Sequence, residues 1–123
     1  MKKLICWFRR DLRIHDNPAL YNAAKDGLVL PIYILDDSNS AEYATGSASK
    51  VWLHHSLIAL NLKLQGNLIV NRGNPIEILT KLVNFYKIDN VYWNRCYEPW
   101  QMDRDKNIKK ALEERSVKVT SYN

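Results

Sequence analysis

Residues 28–35 read LVLPIYIL, an apolar run that contains no charged side chain. A strand that is buried on both faces of a sheet produces such a run, because neither of its sides meets water. Parallel sheets bury their strands in this way, with helices packed on each face. The run therefore predicts a strand inside a parallel sheet. Pro31 has no backbone N–H, so we expect it at a position without a ladder hydrogen bond, or at a bulge.

Strand and helix patterns alternate on both sides of this run. Further strands are predicted where β-branched and aromatic residues cluster, at residues 3–8, 67–71, 90–94 and 117–121. Helices are predicted at residues 17–25, 47–65, from 74 onward and 100–115, and the pairs Asn17-Pro18 and Asn74-Pro75 are typical helix starts. The order βαβαβαβαβ predicts right-handed parallel crossovers. We therefore expect an α/β fold, a Rossmann-like doubly wound five-stranded parallel sheet.

Composition indicates one compact domain that covers residues 1–123. Hydrophobic residues make up 46% of the 123-residue chain, which is enough to build a core. The apolar run near the N-terminus is too short for a signal segment, so a cytoplasmic protein without a membrane anchor is expected. Cys6 and Cys96 are predicted to be free thiols. The net charge of +5 is compatible with a nucleic-acid partner and only weakly favours one.

In doubly wound sheets, ligands bind outside the carboxyl ends of the strands. That rule selects three loops here, at residues 9–17, 36–50 and 95–101. The first loop has no GxGxxG motif and no phosphate-binding GxxxxGK[ST] motif, which argues against NAD-type and P-loop chemistry. Arg9, Arg10 and Arg13 surround Asp11 in it. They are expected either to form ion pairs that fix the loop, or to face an anionic ligand or a second domain.

The histidines offer no metal site by their spacing. His54 and His55 are neighbours on a predicted helix and point about 100° apart, and His15 has no second ligand nearby. No Ser/His/Asp arrangement follows from the spacing either, so no catalytic residue is predicted. Trp100 follows Glu98-Pro99 at the end of a predicted strand. It is the tryptophan that we expect to face a flat ligand.

Three ordered blocks of the sequence resemble the DNA photolyase/cryptochrome family. The blocks are WFRRDLRIHDNPAL at residues 7–20, GSASKVWLHHSL at 46–57, and VYWNRCYEP at 91–99 followed by DRD at 103–105. Their order and spacing match essentially the whole chain. The resemblance identifies the chain as the N-terminal α/β domain of such a protein, with the larger helical domain absent.

This resemblance implies a role in light harvesting for DNA repair. In the family, the domain holds an antenna chromophore, which is a folate, a deazaflavin or a flavin. The antenna passes excitation to FAD in the helical domain, and the reduced flavin splits a cyclobutane pyrimidine dimer that is flipped out of DNA. The parent would be a deoxyribodipyrimidine photo-lyase, a carbon-carbon lyase, whereas this chain alone would be inactive. Its expected partners are damaged DNA through the parent and its own helical domain, with weak self-association of the exposed surface.

The antenna class stays open at this stage. Folate-binding members carry an acidic residue three positions after the match to Glu98, where this chain has Gln101, and deazaflavin-binding members carry an aspartate where it has Cys96. We expect the chromophore to be lined by residues at the strand ends: Leu35, Asp36, Ser49, Lys50, Asn94, Glu98, Trp100 and Gln101. Lys50 can either pair with an anionic tail of the chromophore or remain solvated.

Two other functions remain open. The same domain occurs in cryptochrome-type blue-light photoreceptors, and the residues that separate these from photolyases lie in the absent domain. A stand-alone nucleotide-binding module of the same α/β class is the second alternative. It requires a phosphate loop with closely spaced Gly or Ser, and Ser47 and Ser49 instead occupy a predicted helix start.

Overall fold

The computed structural model describes residues 2–9, 11–36 and 47–123, and for Asp36 and residues 47–50 it describes the backbone alone. Strands and helices alternate along this part of the chain. The elements are β1 (Lys3–Phe8), α1 (Pro18–Asp26), β2 (Leu28–Asp36), α2 (Ser47–Lys63), β3 (Ile69–Gly73), α3 (Pro75–Tyr86), β4 (Asn90–Asn94), α4 (Pro99–Glu113) and β5 (Lys118–Tyr122).

The strands form one parallel sheet in the order β3-β2-β1-β4-β5. The chain adds β2 and β3 on one side of β1 and then crosses to add β4 and β5 on the other side. This reversal makes the carboxyl ends of β1 and β4 the switch point of the sheet, where doubly wound folds form a crevice. The predicted α/β fold is confirmed.

Two hydrophobic clusters cover the two faces of the sheet. On one face α3 and α4 pack over alternate strand residues, including Ile5 and Val91, which are fully buried. On the other face α1 and α2 pack over Leu4, Cys6 and their neighbours. Successive residues of a strand point to opposite faces, so one buried strand such as β1 supplies both clusters. Each fully buried aliphatic side chain contributes about 1.5–3 kcal/mol.

Asparagine side chains begin two of the helices, as predicted. Asn17 Oδ1 accepts a hydrogen bond from the Leu20 N–H at 3.1 Å. Asn74 Oδ1 accepts from the Ile76 N–H at 2.9 Å. A proline follows each of these caps, where its missing N–H costs no helical bond. These caps set where the chain enters α1 and α3.

Pro31 lies inside β2 without a bulge. The register between β1 and β2 is unbroken, from the pair Lys3 and Leu28 to the pair Phe8 and Tyr33. On the other side, β3 pairs with β2 only from Ile32 onward. The missing N–H of Pro31 therefore falls before β3 begins, which is how the strand tolerates a proline.

Candidate functional site at the carboxyl edge of the sheet

Asn94 ties the first loop to the end of β4. Its amide nitrogen donates to the Asp11 carboxylate and, at 2.7 Å, to Asn17 Oδ1. Its Oδ1 accepts from the Ala19 N–H at 3.1 Å. Both donor hydrogens and the acceptor are thus occupied by protein groups. Asn94 was expected to line the chromophore, and its side chain here holds β4, the first loop and the start of α1 together.

Arg9 joins the end of β1 to α4. Its side chain is 4% exposed and pairs with the Asp105 carboxylate, and Nη1 donates to the Asn94 carbonyl at 3.4 Å. The Arg9 backbone N–H donates to the Asp11 side chain at 2.9 Å. The expected ion pair of Arg9 is therefore made with a helix almost a hundred residues away, while Asp11 binds amides. Arg10 lies outside the described residues.

Arg13 fixes the outer part of the first loop through backbone carbonyls. Its Nε donates to the His15 carbonyl at 3.1 Å, and its Nη2 donates to the Asp16 carbonyl at 3.2 Å. Asp16 has a φ of 51°, a left-handed conformation that these bonds help to hold. The side chain of Arg13 is exposed and lines a crevice, so it keeps contact with solvent on one side.

Tryptophan rings and guanidinium groups alternate between β1, β4 and α4. The Arg9 guanidinium carbon lies 4.6 Å from the ring centroid of Trp7 and 5.7 Å from that of Trp93. The Arg104 guanidinium carbon lies 5.4 Å from Trp7 and 5.1 Å from Trp100. Trp7 and Trp93 meet edge to face at 5.4 Å. We call these five side chains the tryptophan–arginine ladder.

The structure places four predicted lining residues at the connection from β4 to α4. Asn94 ends β4, Glu98 precedes α4 without a side-chain capping bond, and Trp100 and Gln101 lie in the first turn. Trp100 Nε1 donates to Glu98 Oε2 at 2.9 Å, which orients the half-buried indole. Gln101 is 2% exposed, so little of its surface is open to a ligand.

The other four predicted residues lie on the far side of β1. Leu35 and Asp36 end β2, and Ser49 and Lys50 lie in the first turn of α2. Leu35 is half-buried and packs on the cluster beneath α1 and α2. Because β1 separates β2 from β4, the ends of these two strands are about 10 Å apart across the sheet. The side chains of Asp36, Ser49 and Lys50 lie outside the described part, as do residues 37–46 of the second loop.

Two crevices open at the carboxyl ends of β4 and β5. One of about 320 Å³ is lined by the first loop and Arg95, and one of about 300 Å³ lies between Trp93 and the exposed side of α4. Cys96 lines both of them. Burial raises the pKa of the Cys96 thiol, so it is a poor nucleophile at neutral pH.

Sequence reasoning missed Arg9, Arg104 and Asp105 as a unit. The available signal was helical spacing in α4, where Gln101, Ile108 and Leu112 are buried. Positions 104 and 105 fall on the same face, since residues three and four apart are neighbours on a helix. Charged residues at inward-facing positions need buried partners of opposite charge, and for Asp105 the arginines of the first loop were candidates.

The described residues contain neither a cluster that could hold a metal ion nor a helix that could cross a membrane. Within residues 2–9, 11–36 and 47–123, no three His, Cys, Asp or Glu side chains come close enough together to hold a metal ion. In the same ranges no helix is both long and apolar enough to cross a bilayer.

The fold and this edge together define a Rossmann-like domain whose polar and aromatic groups gather at the switch point. The sequence model of the family described as DNA photolyase matches residues 4–123. The chain belongs to the DNA photolyase family. Its relatives include both repair enzymes and photoreceptors by name.

Two curated relatives illustrate this. The deoxyribodipyrimidine photo-lyase of Agrobacterium fabrum is 40% identical over 97% of this chain and 25% of its own length. Cryptochrome-2 of Arabidopsis thaliana is 38% identical over 99% of this chain and 21% of its own length. The chain thus spans about a quarter of the relatives that it matches.

Solved structures agree with the fold. A bacterial class III photolyase from Agrobacterium tumefaciens superimposes with a TM-score of 0.90 at 38% identity, over 98% of this chain and 25% of its own. An archaeal photolyase from Sulfolobus tokodaii, solved with two FAD molecules and a light-harvesting cofactor implied, gives a TM-score of 0.87 at 28% identity, over 98% of this chain and 29% of its own.

Proposed function

We propose that this chain is the antenna chromophore-binding domain of a light-driven DNA repair enzyme. The observation that carries the proposal is the half-buried indole of Trp100, oriented by Glu98 at the carboxyl edge of a photolyase-family sheet. A planar conjugated pigment binds well on such a ring, because aromatic faces bury large areas at low entropic cost. The pigment class is a folate, a deazaflavin or a flavin.

The residues present fit a flat pigment in part. Trp100 offers a stacking face, Glu98 offers carboxylate oxygens to ring N–H groups, and Leu35 adds apolar surface from β2. Asn94 contributes indirectly, because its own hydrogen bonds hold the first loop. Lys50, Ser49 and Asp36 complete the proposed lining. Gln101 is buried and would have little surface with which to touch the pigment.

The remaining chemistry is proposed for the parent protein. A helical domain would hold FAD, bind damaged DNA and split the cyclobutane pyrimidine dimer, as a carbon-carbon lyase. Residues 1–123 would form one domain that packs on it and would be inactive alone. The cytoplasm is the proposed location, in keeping with two cysteines that are free rather than paired.

Weak self-association of the isolated chain is also proposed. The outer side of α2 exposes Val51, Trp52, Ile58 and Leu62, between 48% and 76% each. An exposed apolar stripe of this kind favours contact with another protein surface. Sedimentation at rising protein concentration tests this. A Leu62→Lys variant should remain monomeric at concentrations at which the unsubstituted chain associates.

A cryptochrome-type photoreceptor is the second candidate. It is favoured by the identity to Arabidopsis cryptochrome-2, 38%, which is close to the 40% identity to the Agrobacterium photo-lyase. Both candidates share the antenna domain and differ in whether the whole protein repairs DNA. Dimer repair under blue light by the full-length protein would separate them.

Binding of a pigment tests the proposal directly. The chain is titrated with methenyltetrahydrofolate, with a deazaflavin and with flavin mononucleotide, while pigment fluorescence is followed. Trp100→Ala should weaken binding by about 5- to 150-fold, since one lost stacking contact is worth about 1–3 kcal/mol. Trp52→Ala is the matched control, because Trp52 is an exposed tryptophan on α2.

Three outcomes would contradict the proposal. The first is that none of the three pigments binds. The second is that Trp100→Ala reduces the free energy of unfolding by as much as it reduces the free energy of pigment binding, which would make the residue structural. The third is tight binding of FAD by this chain, which would overturn the division between antenna and catalytic domains.

A further inference from the structure

The crevice between β4, β5 and α4 gathers three cationic side chains. It has a volume of about 300 Å³, and we call it the α4 crevice. Its charged lining residues are Arg95, Lys106, Lys109 and Asp105. It opens at the carboxyl edge of the sheet, where doubly wound folds bind ligands. None of the residues proposed to hold the pigment is among the described residues that line it.

Arg95 is held in place by neutral groups. Its Nε donates to Ser121 Oγ at 3.0 Å, and its Nη1 donates to Asn123 Oδ1 at 3.1 Å. Neither of these partners cancels the charge of the guanidinium. A guanidinium has five N–H groups, so within the described part of the chain these two bonds leave three for an incoming anion. Arg95 is therefore both positioned and charged for anion binding.

Lys106 and Lys109 add two positive charges from α4. Residues three apart lie side by side on a helix, with Cβ atoms about 5–6 Å apart, so both ammonium groups can reach one anion. Asp103 lies three residues before this pair and Glu113 four residues after it. Neither lysine forms an ion pair with these or with any other carboxylate of the described residues. The two ammonium groups repel each other, and an anion bound between them relieves that repulsion.

The carboxylate of Asp105, which also lines the crevice, is already neutralised. Asp105 pairs with Arg9 through Oδ2, and its Oδ1 lies 3.5 Å from Arg104 Nε. It therefore adds no free negative charge to the crevice. The α-carboxylate of Asn123 offsets at most one of the three cations. Positive charge is thus in excess where the crevice opens.

The same crevice offers an exposed ring and an exposed thioether. Tyr97 is 63% exposed, and its hydroxyl donates to Asn123 Oδ1 at 2.8 Å, which fixes the ring. Met102 is 52% exposed and lines the crevice from α4. A flat ring gains from stacking on a tyrosine, and methionine adapts to the shape of an aromatic ligand. The volume lies at the lower end of the range for small-molecule sites, which fits a single nucleotide.

We propose that the α4 crevice binds a nucleoside phosphate, with the phosphate on Lys106, Lys109 and Arg95 and the base on Tyr97 and Met102. A phosphate monoester carries close to two negative charges at pH 7.5 and offers three acceptor oxygens, which matches this donor set. The site is independent of the proposed function, because it involves neither the pigment nor Trp100.

Calorimetric titration of the chain with adenosine monophosphate tests the inference at pH 7.5. Adenosine and inorganic phosphate are titrated beside it, because each carries one half of the ligand. The nucleotide should bind at least about tenfold more tightly than either half, since both sets of contacts then act together. No detectable binding of the nucleotide at millimolar concentration would overturn the inference, and so would equal affinities for the nucleotide and inorganic phosphate.

Two pairs of lysine substitutions separate a site from general attraction by a basic protein. Lys106→Gln with Lys109→Gln should weaken nucleotide binding by about tenfold or more and leave the weak binding of adenosine unchanged. Lys25→Gln with Lys81→Gln is the matched control, because these lysines are exposed outside the crevice and the net charge changes equally. Equal losses in the two double variants would overturn the inference.

Substitutions of Tyr97 test the base contact. Tyr97→Ala should weaken binding of the nucleotide several-fold and leave that of inorganic phosphate unchanged, whereas Tyr97→Phe keeps the ring and should retain most of the affinity. In nitrogen-15 NMR spectra the nucleotide should shift the amide signals of residues 95–97 and 102–109. Shifts confined to other residues would place the nucleotide elsewhere and overturn the inference.

Discussion

The amino edge and the carboxyl edge of the same sheet are built by different means. At the amino edge, main-chain bonds join neighbouring strand starts, such as Leu28 N–H to the Lys2 carbonyl at 2.9 Å and Asp89 N–H to the Lys3 carbonyl at 2.8 Å. At the carboxyl edge, the Arg9–Asp105 pair and the bonds of Asn94 join the elements through side chains, in addition to the main-chain bond from the Arg95 N–H to the Tyr122 carbonyl at 2.7 Å. Crevices open beside these side chains.

This contrast shows at which edge the domain can vary its chemistry. Main-chain joins place few demands on side chains beyond space, whereas the carboxyl edge depends on charge, shape and hydrogen-bonding capacity at named positions. Parallel sheets gather function at that edge because helix starts and loops converge there. Substitutions at the two edges test the contrast, and the most destabilising of them lies at the carboxyl edge.

Asp105→Asn should cost about 3–5 kcal/mol in the free energy of unfolding, because it leaves the buried Arg9 guanidinium without its counter-charge. The double variant Arg9→Met with Asp105→Leu should recover most of this loss, since an apolar pair needs no counter-charge. Urea denaturation of the two variants measures the difference. A single-variant loss below about 1 kcal/mol would show that the pair is solvated and that the carboxyl edge is not held by charge.

Gly27→Ala should cost about 1–3 kcal/mol through overpacking at the amino edge. A Cβ at this position would lie 2.4 Å from the Lys2 carbonyl oxygen, so the backbone must shift. Gly66→Ala is the control, because nothing lies within 4 Å of its added Cβ and only its φ of 79° opposes the change. Thermal melts compare the two, and an unchanged melting temperature for Gly27→Ala would show that the backbone absorbs the contact without cost. Pigment affinity should stay unchanged in the folded Gly27→Ala chain.

Tyr92→Phe should cost about 1–3 kcal/mol at neutral pH by removing a hydrogen bond to the Asp26 carboxylate. It should also flatten the alkaline loss of stability. Burial, then the hydrogen bond and charge of Asp26, raises the pKa of Tyr92 above its ordinary value of 10.0. Below that value both states hold the proton. Above it the unfolded chain loses the proton first, and stability falls by about 1.4 kcal/mol per pH unit.

Urea titrations at a series of alkaline pH values test this. The unsubstituted chain should lose stability above about pH 10. In the Tyr92→Phe chain, the slope of the unfolding free energy against pH should be smaller by the contribution of one proton. Tyr122 stacks on Tyr92, and burial also raises its pKa. Its ionisation therefore leaves a residual loss of stability with pH in both the unsubstituted and the Tyr92→Phe chain. Identical slopes would mean that Tyr92 ionises alike in both states.

Asn17→Ala should cost about 1–2 kcal/mol, with Asn74→Ala as its matched control. Both residues cap a helix that begins with proline. Asn17 also donates to the Arg13 carbonyl at 2.9 Å and accepts from Asn94. The excess loss at Asn17 therefore measures what the carboxyl-edge network adds to a cap. No excess would mean that the network adds no stability there.

The strand and helix order was predictable because each element carries a local signal. The run at β2 and the caps at Asn17 and Asn74 identified elements whose bounds differ from prediction by a few residues, as β3 does by starting at Ile69. The Arg9–Asp105 pair joins residues at opposite ends of the chain. Its formation depends on β4 lying next to β1, a tertiary fact that no local pattern contains. The burial of Gln101 had the same origin.

The perpendicular meeting of Trp7 and Trp93 has an optical consequence. Two indoles at 5.4 Å and an interplanar angle of 86° couple their strong far-ultraviolet transitions and so give a circular dichroism couplet. That couplet exists only while β1 and β4 are neighbours. The assembled domain therefore has an intrinsic spectroscopic signal of correct strand pairing, which can be recorded without any added chromophore.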